Sequence, residues 1–223
     1  MFKRLLFASI ALAVGLGTLP AGAATKLSGK PSAAEMPFVR SVQRTLSALY
    51  PTPAAAEKAG YFRFTNEDRT GSISYVNPSH WTSDLKHPSQ LWYDVHGRLL
   101  GADYTVPMAR QARKPVLWGI DPQRWHRFPA HVHWVLRLPN GKYRYELMTS
   151  VKKYEAAGGN VEHPTAAPIV KLGKASSAGE VAHVFAFPNL WDLELWVLRN
   201  PNGAFAYMNP RVHPSKSAGM GGM

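Results

Sequence analysis

His131 and His133, in the stretch Phe128-Pro-Ala-His-Val-His-Trp-Val-Leu-Arg137, stand one residue apart in a run of β-favouring side chains. Alternate residues of a strand project from the same face, so this spacing sets two imidazoles side by side. Two neutral ring nitrogens so placed can share one cation, and imidazole suits zinc, copper, iron and nickel. His126 follows Trp125 and precedes His131 by five positions, near enough for the chain to bend back and offer a third nitrogen. Three imidazoles suffice for a catalytic-type site with one position left open for water. His131, His133 and His126 are therefore the candidate ligands of a divalent transition metal, zinc or copper.

Two further residues form a second tier. His183 lies between Val181 and Phe185 in an apolar run, and Glu194 belongs to Trp191-Asp-Leu-Glu-Leu-Trp196, where Asp192 and Glu194 are the only acids. These two carboxylates share one strand face, and an ionised group in such surroundings needs a partner. Glu194 fits a metal ligand, an acceptor for a histidine ring proton or a general base. The remaining histidines read as structural or solvated: His80 and His87 in a loop, His96 in a His-Gly turn, His163 before Pro164 and His213 near the end. No residue is assigned a catalytic role.

Other chemistries are excluded or unsupported. The chain has no cysteine, which removes disulfides, thiolate ligands, cysteine nucleophiles and iron–sulfur clusters. There is no Gly-x-Ser-x-Gly elbow, phosphate loop or dinucleotide fingerprint. The 14 acids form no recognisable glycosidase pair.

The elements that would position these groups can be read from periodicity and turns. Ser32 and Glu35 have capping-box spacing, and Phe38, Val42, Leu46 and Leu49 recur at helical intervals until Tyr50-Pro51. Thr52-Pro53 opens a second, shorter helix that ends at Gly60. A hairpin is expected around the polar turn Asn66 to Gly71, and another from Leu91–Val95 through His96-Gly97 into Arg98–Val106. Residues 107–129, with four prolines, read as a long irregular crossing.

Two segments repeat. Trp134 to Tyr145 and Trp196 to Tyr207 are identical at eight aligned positions, including Trp-Val-Leu-Arg and Pro-Asn-Gly, and both read as hairpins. If they superpose, Glu194 takes the place of Val132 and faces away from the histidine surface. Trp134, Trp196, Tyr145 and Tyr207 would then line aromatic rows suited to a ligand cavity. Val151 to Ala182, rich in Gly, Ala, Pro and Ser, reads as a loop excursion. The sum is a mainly β (α+β) fold: an antiparallel sandwich or barrel of about seven or more strands with one or two N-terminal helices against it.

Lys3 and Arg4, the apolar run Leu5 to Leu19 and the small residues of Ala21-Gly-Ala23 read as a secretory signal peptide, cleaved near Ala23. The run is short for a spanning helix, which needs about 20 residues. The expected organisation is signal peptide 1–23, lead-in 24–31, a single β-rich domain 32–212 whose part 32–60 is helical, and a flexible tail 213–223. That places the mature chain in the periplasm or outside the cell, with no transmembrane segment. The formal charge of the whole sequence, +12, loses only Lys3 and Arg4 with the signal peptide, and the remaining +10 favours anionic envelope polymers. Nucleic acid is disfavoured, because the basic residues are scattered. Three functions remain: a transition-metal protein, with or without chemistry on a bound water; a non-catalytic binder of a small apolar or anionic ligand; and an envelope structural or interaction protein.

Overall fold

A computed structural model describes residues 27–81, 84–108 and 113–219. The expected signal peptide and Met220 to Met223 lie outside the described residues. Helix α1 spans Met36–Leu49 and α2 spans Pro53–Lys58. Phe38, Val39, Val42 and Leu46 form the buried stripe of α1. This helix begins after Glu35 rather than at Ser32. Half of the expected box is made, the Glu35 carboxylate accepting from the Ser32 N–H at 2.8 Å, while the Ser32 hydroxyl returns no bond. Thr52 caps α2 as its type dictates, with Oγ1 accepting from the Ala55 N–H at 3.3 Å.

Nine strands follow among the described residues: β1 Phe62–Arg63, β2 Ile73–Val76, β3 Gln90–Tyr93, β4 Leu99–Pro107, β5 His126–Phe128, β6 His131–Arg137, β7 Tyr143–Ser150, β8 Val181–Phe187 and β9 Leu190–Trp196. They form two antiparallel sheets, one of six strands in the order β1-β2-β3-β4-β9-β5 and one of three in the order β7-β6-β8. A closed barrel is not formed.

Period-two alternation sorts the side chains into layers. In the larger sheet, Tyr75, Leu91, Ala102 and Leu195 lie in one cross-strand row and pack on Val42 and Leu46 of α1. The opposite face carries the row Phe62, Val76, Gln90, Asp103 and Glu194, then Thr105, Asp192 and His126, then Leu190 and Phe128. The apolar members of this face meet Val135, Phe185 and Phe187 of the smaller sheet. The far side of the smaller sheet, Val132, Trp134 and Leu136, is covered by Tyr154 and Ile169.

Those last two residues correct the expected loop excursion between 151 and 182. The segment holds two short helices, α3 Val151–Ala156 and α4 Ala167–Lys171. The Ser150 hydroxyl caps α3 at the Lys153 N–H, and the buried anchors are Tyr154 in α3 and Ile169 in α4. A composition rich in small residues hid a few apolar contacts that suffice to order it. The repeat also diverges. Trp134 to Tyr145 is a hairpin, closed by Leu138 and Lys142 with Gly141 at φ 77°. After Trp196 the chain turns at Gly203, φ 106°, but Ala204 to Tyr207 forms no strand: the Ala204 carbonyl accepts from the Trp196 N–H, and the Phe205 N–H donates to the Gly29 carbonyl. No helix among the described residues is long and apolar enough to cross a membrane.

Candidate metal centre

The chain steps from the larger sheet to the smaller through Pro129-Ala130, between β5 and β6. Asn189, in the β8–β9 turn, holds that step: its Oδ1 accepts from the Ala130 N–H at 3.0 Å and its carbonyl accepts from the Met108 N–H at 2.8 Å. His131 follows at once, with Nδ1 2.7 Å from the Pro129 carbonyl oxygen. A carbonyl can only accept, so His131 donates from Nδ1 and its Nε2 carries a bare lone pair. That lone pair faces His133, Nε2 to Nε2 at 2.9 Å. Without a metal, the contact is an N–H···N bond from His133, which leaves Nδ1 of His133 bare; this atom is buried and makes no hydrogen bond.

The surroundings of the pair are aromatic. Phe187 stacks on His131 at 4.9 Å and Phe185 on His133 at 5.5 Å, while Phe128 meets His131 edge-on. Phe64 reaches His133 edge-on at 5.2 Å through a β-bulge in β7. There Glu146 adopts φ 62° and turns its N–H out of the ladder to the Phe64 carbonyl at 3.0 Å. Both histidines are only 8% exposed. Burial holds both rings below the ordinary histidine range, and for His133 burial and the adjacent His131 bring it to about 3. The pair is therefore neutral at pH 7, the state in which imidazole binds a metal.

The structure brings His131 and His133 together but places the other candidate ligands elsewhere. His126 is exposed on β5, in the larger sheet, directly opposite Asp192. His183 pairs with Val135 and stacks on Phe62 at 4.1 Å, with its residue open to solvent. Among the described residues, no third histidine or carboxylate converges on the pair. Met148, which the sequence did not single out, lies directly across from His133 on β7 and on the same sheet face. Its position depends on the β6–β7 register, which no local motif announces.

Glu194 belongs to a different cluster. One carboxylate oxygen from each of Asp103, Asp192 and Glu194 lies within 4.8 Å of the others. Asp103 sits opposite Glu194, and Thr105 opposite Asp192. Asp103 and Asp192 are buried and their carboxyls stand well above the usual range, first through desolvation and then through the neighbouring acidic charges. Glu194, which keeps contact with solvent, is raised by desolvation against the pull of His126. The shared face of Asp192 and Glu194 was legible in the sequence. Asp103 was not, because the pairing of β4 with β9 is long-range.

The four aromatic candidates do not gather round one cavity. Trp134 packs toward α3 and α4, Trp196 packs with Leu100 and Val212, Tyr145 lies under the Arg63 guanidinium, and Tyr207 is 77% exposed. An open cleft of about 540 Å³ is lined instead by Met108, Arg127, Phe128, Pro129 and Asn189. Of these, Phe128 and Pro129 also touch His131. No protein-family model, curated protein or solved structure matches the chain.

Proposed function

We propose that the chain is an exported β-sandwich protein that binds a transition metal, divalent zinc or copper in either oxidation state, through Nε2 of His131 and His133. The observation that carries this reading is the 2.9 Å approach of the two Nε2 atoms, with His131 held by the Pro129 carbonyl in the tautomer a metal requires. Two nitrogens, each about 2.0–2.1 Å from one ion and at right angles, stand about 2.9 Å apart, and a tetrahedral pair stands about 3.4 Å apart. Little movement separates the observed pair from a ligating one. Binding needs His133 to carry its proton on Nδ1, the buried ring nitrogen that has no hydrogen-bond partner.

Two imidazoles leave coordination positions free. Met148 offers a flexible thioether to one of them, which favours copper(I). The cleft beside Phe128 and Pro129 offers a small molecule or water a route to another. The test is elemental analysis of the exported form purified without chelator or affinity tag. Near-stoichiometric zinc or copper, lost together with its stabilisation in the His131→Ala/His133→Ala variant, supports the reading. Metal-free protein that also takes up neither zinc nor copper refutes it.

A second reading, a metal-independent binder of a small apolar or anionic ligand, is favoured by the cleft itself. Met108 and Phe128 give it apolar wall, and Arg127 a cation. Such a binder keeps its ligand response when both histidines are replaced, and its tryptophan fluorescence reports binding because the Arg127 guanidinium lies over the Trp191 ring.

A further inference from the structure

We propose that Asp103, Asp192 and Glu194, with the Thr105 hydroxyl, form a second metal site, distinct from the histidine pair, for a hard divalent cation of calcium size. The three carboxylates come from two adjacent strands whose register places Asp103 beside Glu194 and Thr105 beside Asp192, all on the face turned toward the smaller sheet. Their oxygens span no more than 4.8 Å, the separation of two ligands on opposite sides of an ion at about 2.4 Å. The donor set is all oxygen, which selects calcium, magnesium or manganese over the softer metals an imidazole pair takes.

Thr105 supplies the independent indication. It is only 1% exposed, its Oγ1 has no hydrogen-bond partner, and strand alternation directs it to the same side as Asp103 and Asp192. Oδ1 of Asp103 and Oδ1 of Asp192 are likewise buried and unpartnered. Three adjacent buried polar atoms without partners are rare in a folded protein, and an ion or water is the usual resolution. The ion pairs of the described residues engage Glu35, Asp84 and Asp94, and among those residues none joins a lysine or arginine to this cluster. In a chain of net charge +12, the clustering of three acids on one inner face is not a matter of abundance. Glu194, which reaches solvent, and His126, at the rim opposite Asp192, mark the side from which an ion enters.

The test uses the purified, chelator-treated protein and calcium chloride alone, read by calorimetry and by thermal unfolding. Wild type should bind one calcium and gain melting temperature at about 1 mM, the range of extracellular calcium modules. Asp192→Asn and Glu194→Gln should each weaken binding by at least about tenfold, whereas the exposed control Glu162→Gln and the His131→Ala/His133→Ala variant should bind as wild type does. Glu194→Gln keeps the test decisive if Asp192→Asn fails to fold, because its residue reaches solvent. A wild type indifferent to calcium, or a folded Glu194→Gln with unchanged affinity, overturns the proposal. Neither outcome bears on zinc or copper at the histidines.

Discussion

His126 and Asp192 lie directly opposite each other across β5 and β9, so the third imidazole belongs to the carboxylate face of the larger sheet, while His131 opens the smaller one. A transition metal on the histidine pair should not depend on His126. His126→Ala should keep wild-type zinc or copper content, whereas His131→Ala should lose at least about 100-fold in affinity. Metal content and competition with a chromophoric chelator measure both. Equal losses in the two variants would show that β5 swings toward β6 when metal binds.

Met148 gives a prediction that separates the two candidate metals. A thioether binds copper(I) well and zinc poorly. Met148→Leu keeps the bulk of an exposed side chain and removes only the sulfur. Copper(I) affinity should fall by about tenfold and zinc affinity should stay within about twofold. Titration against a copper(I) chelator reads the difference, and an unchanged copper affinity removes Met148 from the site.

How much of this was readable in the chain follows from the range of each interaction. The His-x-His pair is local, and its spacing alone puts both rings on one face of β6. The Thr52 cap, the turn at Gly97 and the Pro-Asn-Gly turn before Lys142 are local too, and each appears where its residues place it. Asp103 and Met148 enter the candidate sites only through strand register, which is decided by the whole of each sheet. Residues 196–207 show the limit of local similarity. The segment shares its turn with 134–145, but its return leg makes a single backbone bond to β9, from the Trp196 N–H to the Ala204 carbonyl, and is otherwise held by Gly29 and by the Trp196 indole N–H, which donates to the Ala206 carbonyl.

Phe187 should matter for stability more than for metal. It is 1% exposed and touches His131, His133, Phe64, Phe128, Phe185 and Trp81. Phe187→Ala should cost about 3–5 kcal/mol, through lost burial and the cavity left behind. Phe187→Leu should recover more than half of that. Urea unfolding measures both, and a loss below about 1 kcal/mol would mean the sheets repack without it.

One acid-range contribution to the pH dependence of stability should be traceable to a buried ion pair. Arg124 Nε donates to Glu35 Oε1 at 2.6 Å and Nη2 to Oε2 at 2.9 Å, and the same guanidinium donates to the Ser28 and Lys30 carbonyls. Burial alone would raise the Glu35 carboxyl, but the Arg124 bonds, the Ser32 and Asp121 N–H groups and the guanidinium charge outweigh it and hold the group at about 2. The folded state therefore binds fewer protons than the unfolded chain between pH 4.5 and about 2, and stability rises with pH across that window. The contribution, roughly 3 kcal/mol, is complete above pH 4.5 and disappears as pH falls through 2. Glu35→Gln, which leaves Arg124 buried without its counter-charge, should be about 3–5 kcal/mol less stable at neutral pH, with the deficit shrinking as wild type protonates. Denaturant unfolding of both proteins from pH 7 to pH 2 checks this, and a deficit that stays constant across the acid range would show that Glu35 is not the group responsible.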